Sequence, residues 1–346
     1  MDPNAGKKKL INKLSPQDLQ KKLEAETFSR RTISFYRYVH ITHTQEMRDT
    51  LYTKWMELDC NGRIYLAQEG INAQMNVPEH HWDEFVAHLY QLKEFANVPF
   101  KLAVKDDSNS FLKLTVKVRN KIVADGLNHD DWDVTNVGRH LNAEEWNTAM
   151  DSGKAIVVDI RNHYESEIGH FENALLPQSE TFKEELPEVL EMLKGKEDEK
   201  VLLYCTGGIR CEKTSAFLKH HGFNDVNQLH GGIIDYARQI KENELANKFK
   251  GKNFVFDDRL GESISEEIIA QCHQCNAPCD THVNCANKEC NLLFIQCPSC
   301  AKQKLGTCSS ECQAIVQLPE EEQKKLRQGK KQEKIFHRHK KKGLKK

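Results

Sequence analysis

The feature that most constrains the fold of this chain is a short apolar run that leads directly into a glycine-containing loop. Residues 201–204 are apolar, and helical spacing follows over residues 211–221. The loop between them consists of Cys205, Thr206, Gly207, Gly208, Ile209, Arg210 and Cys211. A strand, a tight loop and a helix in this order place Cys205 at the carboxyl end of a strand, where open α/β sheets have their ligand sites.

The sequence around this loop has the pattern of an α/β domain. Residues 155–160 form a second short apolar run rich in β-branched side chains, which is typical of parallel strands buried on both faces. Residues 141–152 and 182–193 have helical spacing. We therefore predict an α/β domain with a parallel sheet over residues 136–250.

The composition of the loop suits a reactive thiolate. Gly207 and Gly208 lack Cβ atoms, so the backbone can curl until successive amides point at one anion beside a helix N-terminus. Arg210 adds positive charge, and together these groups should lower the pKa of Cys205; a persulfide or a substrate oxyanion could use the same cradle. The competing interpretation is a buried structural cysteine. Cys211 suits either resolution of a persulfide through an internal disulfide or packing of the first helical turn.

The first third of the chain predicts a different domain. Residues 32–106 have the order strand, helix, strand, strand, helix, strand, which describes a ferredoxin-like, or split βαβ, unit whose sheet commonly leaves one face open to a partner. Alternation over residues 111–123 then predicts a strand with cationic side chains along one side. These are Lys113, Lys117, Arg119 and Lys121. They suit either contact with RNA or a merely solvated face.

Nine of the twelve cysteines are clustered near the C-terminal end. They are Cys272, Cys275, Cys279, Cys285, Cys290, Cys297, Cys300, Cys308 and Cys312. The two C-x-x-C pairs suit tetrahedral zinc because such a turn points both thiolates at one ion. Nine thiolates could form two four-cysteine sites with one left over, although His273 or His282 could replace a thiolate, and spacing does not show which ligands share an ion. We predict structural zinc, with a disulfide-bonded module or an iron–sulfur cluster as alternatives.

Charge and hydropathy bear on location and partners. The 346 residues have a formal charge of −1, and no apolar stretch approaches the roughly 20 residues of a membrane span. The polar start lacks the apolar region of a signal peptide, so we predict a cytoplasmic protein with no membrane partner. The chain is strongly basic from Lys324 onward, which suits a solvated tail or phosphate binding.

The predicted units are a polar extension (1–30), the ferredoxin-like domain (31–125), the α/β domain (136–250), the zinc module (259–315) and the basic tail (316–346).

Three motifs in order resemble the rhodanese family. They are Asp159-Ile160-Arg161-Asn162-His163-Tyr164-Glu165 with Gly169-His170-Phe171-Glu172-Asn173-Ala174, the Cys205 loop, and Leu229-His230-Gly231-Gly232-Ile233. One departure is Asn173, where the family usually has glycine. The resemblance implies a rhodanese fold whose chemistry depends on the loop rather than on an acid/base dyad. We expect Asp159, Arg161 and Glu165 to support that loop.

The whole chain resembles the rhodanese-containing tRNA uridine hydroxylases. Members carry a sequence similar to Glu69-Gly70-Ile71-Asn72 in the first domain, and the basic strand, the Cys205 loop and a cysteine-rich end follow here in order. The resemblance implies oxygen-dependent hydroxylation of C5 of the wobble uridine in tRNA anticodons, giving 5-hydroxyuridine. Because the resemblance implies tRNA as the partner, we expect the basic strand and the basic tail to contact RNA rather than to be merely solvated.

The sequence leaves the route of the reaction open. Cys205 could add to C6 of uridine and make C5 nucleophilic, or an oxidised Cys205 could deliver oxygen. No G-x-G-x-x-G follows a strand, so neither a flavin nor a nicotinamide cofactor is predicted. Candidates for stacking an extruded base are Phe111, Trp132 and Tyr164. The rival functions are a persulfide-carrying sulfurtransferase and a noncatalytic RNA-binding protein.

Overall fold

The computed structural model describes residues 10, 14–102, 111–126, 133–256 and 259–329. After helix α1 (Pro16–Glu24), the first domain is one sheet with two helices. Its elements are β1 (Arg30–Tyr38), α2 (Thr44–Glu57), β2 (Asn61–Ala67), β3 (Gly70–Pro78), α3 (Trp82–Gln91), β4 (Lys101–Leu102) and β5 (Leu114–Val118). The strand order is β4-β1-β3-β2-β5, antiparallel except for the β2–β5 pair. The predicted ferredoxin-like domain is confirmed, with β5 as an added edge strand.

Alternation along the strands gives this sheet two different faces. Ile33 and Phe35 of β1 are buried against the helices, where Trp55 and Phe85 complete the core. Because successive strand residues point to opposite faces, the polar and aromatic residues between them lie on the other face. That second face includes Ser34, Tyr36, Tyr65, Asn72 and Gln74, and it lies over the Cys205 loop. The partner of the open face is therefore the next domain of the same chain.

The central domain is the predicted α/β unit. Its elements are β6 (Arg139–Leu141), α4 (Ala143–Asp151), β7 (Ala155–Asp159), α5 (His163–Ser166), β8 (Gly169–Phe171), α6 (Phe182–Met192), β9 (Lys200–Tyr204), α7 (Ile209–His220), β10 (Asp225–Leu229) and α8 (Gly232–Glu242). The sheet order is β6-β10-β9-β7, and every pair is parallel. Strand β9 is internal, so Cys205 follows a central strand as predicted.

Short elements complete the chain. Strand β8 pairs with β11 (Phe249–Asn253), which pairs with β12 (Glu262–Ser263). The C-terminal segment has the hairpin β13 (His282–Asn284) and β14 (Leu293–Ile295), followed by helices α9 (Pro298–Gln303), α10 (Ser310–Val316) and α11 (Glu320–Arg327). Within the described ranges, no helix has the length and apolar character needed to cross a membrane. Most of the basic tail, residues 330–346, lies outside those ranges.

One predicted strand is shorter than expected, and this corrects the position of Lys121. Strand β5 ends at Val118, so the four cations do not share one strand. Lys121 lies in the following turn, where its Nζ pairs with the buried Asp125 carboxylate at 2.5 Å. The predicted strand over residues 100–105 is β4, and residues 103–110 lie outside the described part.

A buried ion-pair cluster joins the first domain to helix α7. Lys213 Nζ lies 2.6 Å from Asp125 Oδ2 and 3.1 Å from Glu69 Oε1. Glu69 Oε1 also accepts a hydrogen bond from the Ile122 amide at 2.7 Å. Since α7 follows the Cys205 loop directly, these contacts fix the first domain relative to the reactive sulfur.

Candidate active site and metal centres

The Cys205 sulfur lies in a cradle of backbone amides. The Gly208 amide donates to Cys205 Sγ at 3.0 Å, and the amides of Arg210 and Cys211 also donate to it. Gly208 has φ of +92°, a conformation that favours glycine, and an added Cβ would lie 2.8 Å from the Tyr36 hydroxyl. Helix α7 begins at the next residue, so its N-terminus points at the sulfur.

These contacts stabilise the thiolate. Burial acts to raise the pKa of Cys205, but hydrogen bonding by the Cys211 thiol, the charge of Arg210 and the backbone amides outweigh it and lower that pKa to about 5. The neighbouring Cys211 has its pKa raised, first by burial and then by its hydrogen bond to Cys205. The pair therefore consists of one ionised sulfur and one protonated sulfur at neutral pH.

Arg210 is held in place by Glu165. The guanidinium Nη1 and Nη2 atoms donate to the two carboxylate oxygens at 2.6 and 2.9 Å, and both side chains are buried. Glu165 Oε1 also accepts from the Asn162 amide at 3.1 Å, in the capping box at the start of α5. Glu165 thus connects the first rhodanese-like motif to the Cys205 loop.

Asp159 and Arg161 form a second buried pair behind the loop. Arg161 Nε and Nη2 donate to the Asp159 carboxylate at 2.8 and 2.6 Å, and the Tyr204 hydroxyl donates to it at 2.7 Å. These groups fix the strand end that precedes Cys205, and their hydrogen bonds go to one another rather than to the Cys205 sulfur. Their geometry fits the expected supporting role.

The third rhodanese-like motif, residues 229–233, and the residue after it support the Cys205 loop through backbone hydrogen bonds. The Ile233 amide donates to the Cys205 carbonyl at 3.0 Å, and the Ile234 amide donates to Thr206 at 3.2 Å. Gly232 has φ of +69°, and a Cβ there would lie 2.5 Å from the Cys205 carbonyl oxygen. This close approach requires glycine.

A cavity of about 270 Å³ lies between the loop and the sheet of the first domain. Cys205, Thr206, Gly207, Ile209 and Arg210 form one wall. The sheet wall includes Thr32, Ser34, Tyr36, Tyr65, Asn72, Gln74 and Lys101, and the remaining side includes Phe111, Ile122, Val123, Val255 and Phe256. The arrangement offers a nucleophile, polar groups and aromatic surfaces to one ligand in a partly open pocket.

Sequence reasoning missed two residues that cover the loop. Lys101 Nζ donates to the Gly207 carbonyl and lies 4.2 Å from the centre of the Tyr36 ring, and burial lowers the pKa of Lys101 to about 8. The Tyr36 hydroxyl donates to Glu212 Oε1 of α7 at 3.2 Å. Alternation on β1 places Tyr36 on the face away from the core, but only the packing of two domains brings that face to Cys205.

Three of the predicted RNA-contacting cations lie in or beside the edge strand: Lys117 is in β5, and Lys113 and Arg119 flank it. Lys113 and Lys117 are exposed, and the Arg119 guanidinium lies 5.5 Å from the centre of the Tyr65 ring. Tyr65 also lines the cavity that Cys205 lines, so this edge of the sheet is continuous with the cavity. Lys121 is turned inward by its ion pair with Asp125.

The three aromatic candidates for base stacking have different positions. Phe111 lines the cavity. Tyr164 is buried, with its ring 5.2 Å from that of Phe254 and its hydroxyl hydrogen-bonded by Asn162, so it belongs to a core. Trp132 lies outside the described residues.

The cysteine cluster forms two groups of four. Cys272, Cys275, Cys297 and Cys300 make the first group, and Cys285, Cys290, Cys308 and Cys312 make the second. In each group the sulfur atoms all lie within 4.8 Å of one another. A tetrahedral zinc with Zn–S bonds of about 2.3 Å separates its sulfurs by roughly 3.8 Å, and the Cys275–Cys297 and Cys308–Cys312 pairs are 3.6 and 3.8 Å apart. Both groups are thus able to hold a metal ion, and they fit zinc.

Cys279 corrects the predicted ligand set. It lies in neither group and is buried in an apolar cluster with Ile168 and Phe254. Neither histidine replaces a thiolate: His273 Nε2 lies 2.9 Å from Glu167 Oε1, and His282 also lies in neither group. The left-over cysteine of the nine is therefore Cys279.

A cradled cysteine in a parallel α/β domain, covered by a ferredoxin-like sheet, defines a rhodanese-domain protein. Family models match in the same order: "UPF0176 acylphosphatase like domain" over residues 30–122, "Rhodanese-like domain" over 142–239 and "Rhodanase C-terminal" over 250–313. A relative from Leptospira interrogans is 59% identical over 95% of this chain and 90% of its own, and one from Enterobacter sp. is 50% identical over 95% of both; each is named tRNA uridine(34) hydroxylase. The chain belongs to this tRNA uridine(34) hydroxylase family, which confirms the resemblance predicted from the sequence.

Proposed function

We propose that this chain hydroxylates C5 of uridine 34, the wobble uridine of tRNA anticodons, with Cys205 as the nucleophile. One observation carries the proposal: Cys205, whose sulfur is cradled by backbone amides, lines a cavity of about 270 Å³ between two domains. An ionised sulfur beside a pocket of this size suits covalent chemistry on a single extruded base. The names of the relatives supply the class of substrate.

In the proposed first step, the Cys205 thiolate adds to C6 of the uracil ring. The C5–C6 double bond opens, and electron density moves to C5 and O4, which makes C5 nucleophilic. The loop amides and Arg210 stabilise the thiolate before addition and after its departure. Lys101 lines the same cavity and supplies a positive charge for the developing charge on O4.

Molecular oxygen is the proposed co-substrate. C5 attacks O₂ and, with one proton, becomes a hydroperoxide; loss of the original C5 proton and departure of the thiolate restore the double bond. Cys205 then attacks the outer peroxide oxygen, which leaves 5-hydroxyuridine and a sulfenic acid on Cys205. The Cys211 thiol displaces water from that sulfenic acid, and the two cysteines form a disulfide. One oxygen atom ends on C5 and the other in water, with both electrons supplied by the cysteine pair; an external thiol then reduces the disulfide.

The edge of β5 is the proposed contact for anticodon phosphates. Lys117 lies in this strand and Lys113 and Arg119 flank it, and Tyr65 continues the surface into the cavity. Binding should weaken as salt rises because phosphate contacts release counterions. The basic segment after Lys324 would add to this attraction.

Two structural zinc ions complete the proposal. Each four-cysteine group fills all tetrahedral positions with protein ligands, which leaves no open position for a catalytic water. Thiolate ligands in this number suit a reducing compartment, which supports the predicted cytoplasmic location.

Mass spectrometry of tRNA nucleosides tests the function. Cells that lack this protein should lose 5-hydroxyuridine at position 34, and wild-type protein should restore it while Cys205→Ala should not. Cys60→Ala is the matched control, because Cys60 is buried in the core of the first domain. Unchanged 5-hydroxyuridine without the protein, in cells with no second route to it, would overturn the proposal in favour of sulfur transfer.

A further inference from the structure

The sheet wall of the cavity has polar groups that are not used by the protein itself. Ser34 and Gln74 are opposite each other on β1 and β3, and both line the cavity across from Cys205. Within the described residues, neither side chain makes a hydrogen bond to another protein group. Uncommitted polar groups on the wall of a cavity are available to a ligand.

Asn72 lines the same wall but has a fixed orientation. Its Nδ2 donates to the Ile122 carbonyl oxygen at 3.3 Å. Exchanging the two ends of the amide would place two acceptor oxygens against each other, so the nitrogen stays on the Ile122 side. The Ile122 amide is itself bonded to Glu69, which fixes this segment. The end of the Asn72 amide turned away from Ile122 is therefore Oδ1, an acceptor.

We propose that Asn72 selects uracil by accepting a hydrogen bond from its N3–H group, an inference that rests on the proposed function. Uracil has a donor at N3 between two carbonyl acceptors, whereas cytosine has an unprotonated acceptor nitrogen at N3. A fixed acceptor pairs with the first base and faces a lone pair on the second, which leaves two acceptors facing each other without a hydrogen bond. Asn72 is thus a specificity-determining residue.

The neighbouring groups complete the recognition of the base. Ser34 and Gln74 can each donate a hydrogen bond, as the carbonyl oxygens beside N3 require. Tyr65, Phe111 and Phe256 supply aromatic surface for the ring. The Glu69-Gly70-Ile71-Asn72 segment thereby acquires two roles: Glu69 holds the domains together through Lys213, and Asn72 reads the substrate.

A substrate series tests the inference with the full-length enzyme. The probes are three versions of one tRNA, with uridine, 3-methyluridine or cytidine at position 34, and product is measured by nucleoside mass spectrometry. Wild-type enzyme should prefer uridine over 3-methyluridine and cytidine by about 10³-fold or more in kcat/KM, since sites built to pair a polar group reject analogues that lack it.

Variants then assign the preference to one side chain. Asn72→Leu should lower kcat/KM for uridine 34 by about 10²-fold and reduce the preference over 3-methyluridine to about tenfold or less. Asn76→Leu is the control: Asn76 lies on the same face of β3 but contacts Arg30 and does not line the cavity, so the preference should stay. The preference is a ratio and does not depend on the fraction of folded enzyme.

The outcomes distinguish the role of Asn72 from the hydroxylase function. A wild-type enzyme that modifies uridine 34 and 3-methyluridine 34 equally well would overturn the role of Asn72 and leave the hydroxylase function standing. Full preference in Asn72→Leu would do the same. A wild-type enzyme that leaves uridine 34 unmodified in the presence of O₂ and a thiol reductant would overturn the function itself.

Discussion

Glu165 holds both outer nitrogens of Arg210, with N–O distances of 2.6 and 2.9 Å, at a site that is buried on both sides of the pair. The guanidinium charge lowers the pKa of the adjacent Cys205, while the carboxylate balances that charge in the interior. The Arg210 guanidinium therefore stabilises both the Cys205 thiolate and the folded structure. The two roles can be separated by changing the carboxylate and measuring stability and thiol reactivity independently.

Glu165→Gln should destabilise the protein. Glutamine keeps the shape but leaves the Arg210 charge uncompensated, and breaking a buried pair in this way costs about 3–5 kcal/mol. Urea unfolding measures the change. The control is Glu191→Gln, because Glu191 pairs with Lys194 on an exposed surface, where loss of a pair costs about 0–1 kcal/mol. Equal costs for the two substitutions would contradict the structural role of the buried pair.

The Cys205 thiol should have a pKa well below that of an ordinary thiol. With a pKa of about 5, the thiolate is the main form above that pH, so the rate of alkylation should be nearly constant from about pH 6 to pH 8 and fall as the pH drops through about 5. The measurement is the rate of modification of the Cys205 peptide by iodoacetamide, with Cys205→Ala to identify background from other cysteines. A midpoint near the ordinary thiol range of about 8.5 would show that the cradle does not stabilise the thiolate.

Lys101 should set the alkaline limit of activity. Burial lowers its pKa to about 8, so its ammonium charge is present below that pH and is lost above it. The kcat/KM of the wild-type enzyme should fall as the pH rises through about 8. Lys101→Met should remove that limb and lower the plateau by about 10²-fold, the usual effect of losing one charge-stabilising group.

Lys93→Met is the matched control for this profile, because Lys93 is exposed in the short turn that precedes β4. Its pH profile should match that of the wild type. An alkaline limb that persists unchanged in Lys101→Met would assign it to another group.

The elements that were predicted are those with a local signal in the sequence. The apolar run before Cys205, the glycines after it and the helical spacing beyond are properties of contiguous residues, and the structure has β9, the loop and α7 at those positions. The Cys205 cradle was predictable for the same reason. Lys121 was misplaced because an alternating pattern continued past the residue at which hydrogen bonding to β2 stops.

Contacts between distant segments could not be predicted from the sequence. Tyr36 and Lys101 reach the Cys205 loop only because one face of the first sheet packs on the second domain, and neither residue differs in type from many others in the chain. The pairing of cysteines also depended on the fold. Residues 272 and 275 share a group with residues 297 and 300, although residues 285 and 290 lie between them in sequence.

This interleaved order makes a sharp prediction for metal content. The wild-type protein should contain two zinc ions per chain, and Cys272→Ala should lose the ion of the first group. Because the two groups alternate along the chain, loss of one also removes a constraint on the loops that carry the other, so the module should become sensitive to proteolysis. Zinc coordination contributes about 10–16 kcal/mol in small zinc modules, so loss of one ion should be strongly destabilising.

Cys279→Ala is the control that distinguishes ligands from a buried cysteine. It changes the same residue type in the same module, but Cys279 lies in neither group, so both zinc ions should remain after gel filtration in the presence of a weak chelator. Metal analysis of the three proteins gives the answer directly. A content of less than one zinc per chain in freshly reduced wild-type protein would refute the zinc sites, and loss of zinc from Cys279→Ala would refute the assignment of ligands to the two groups.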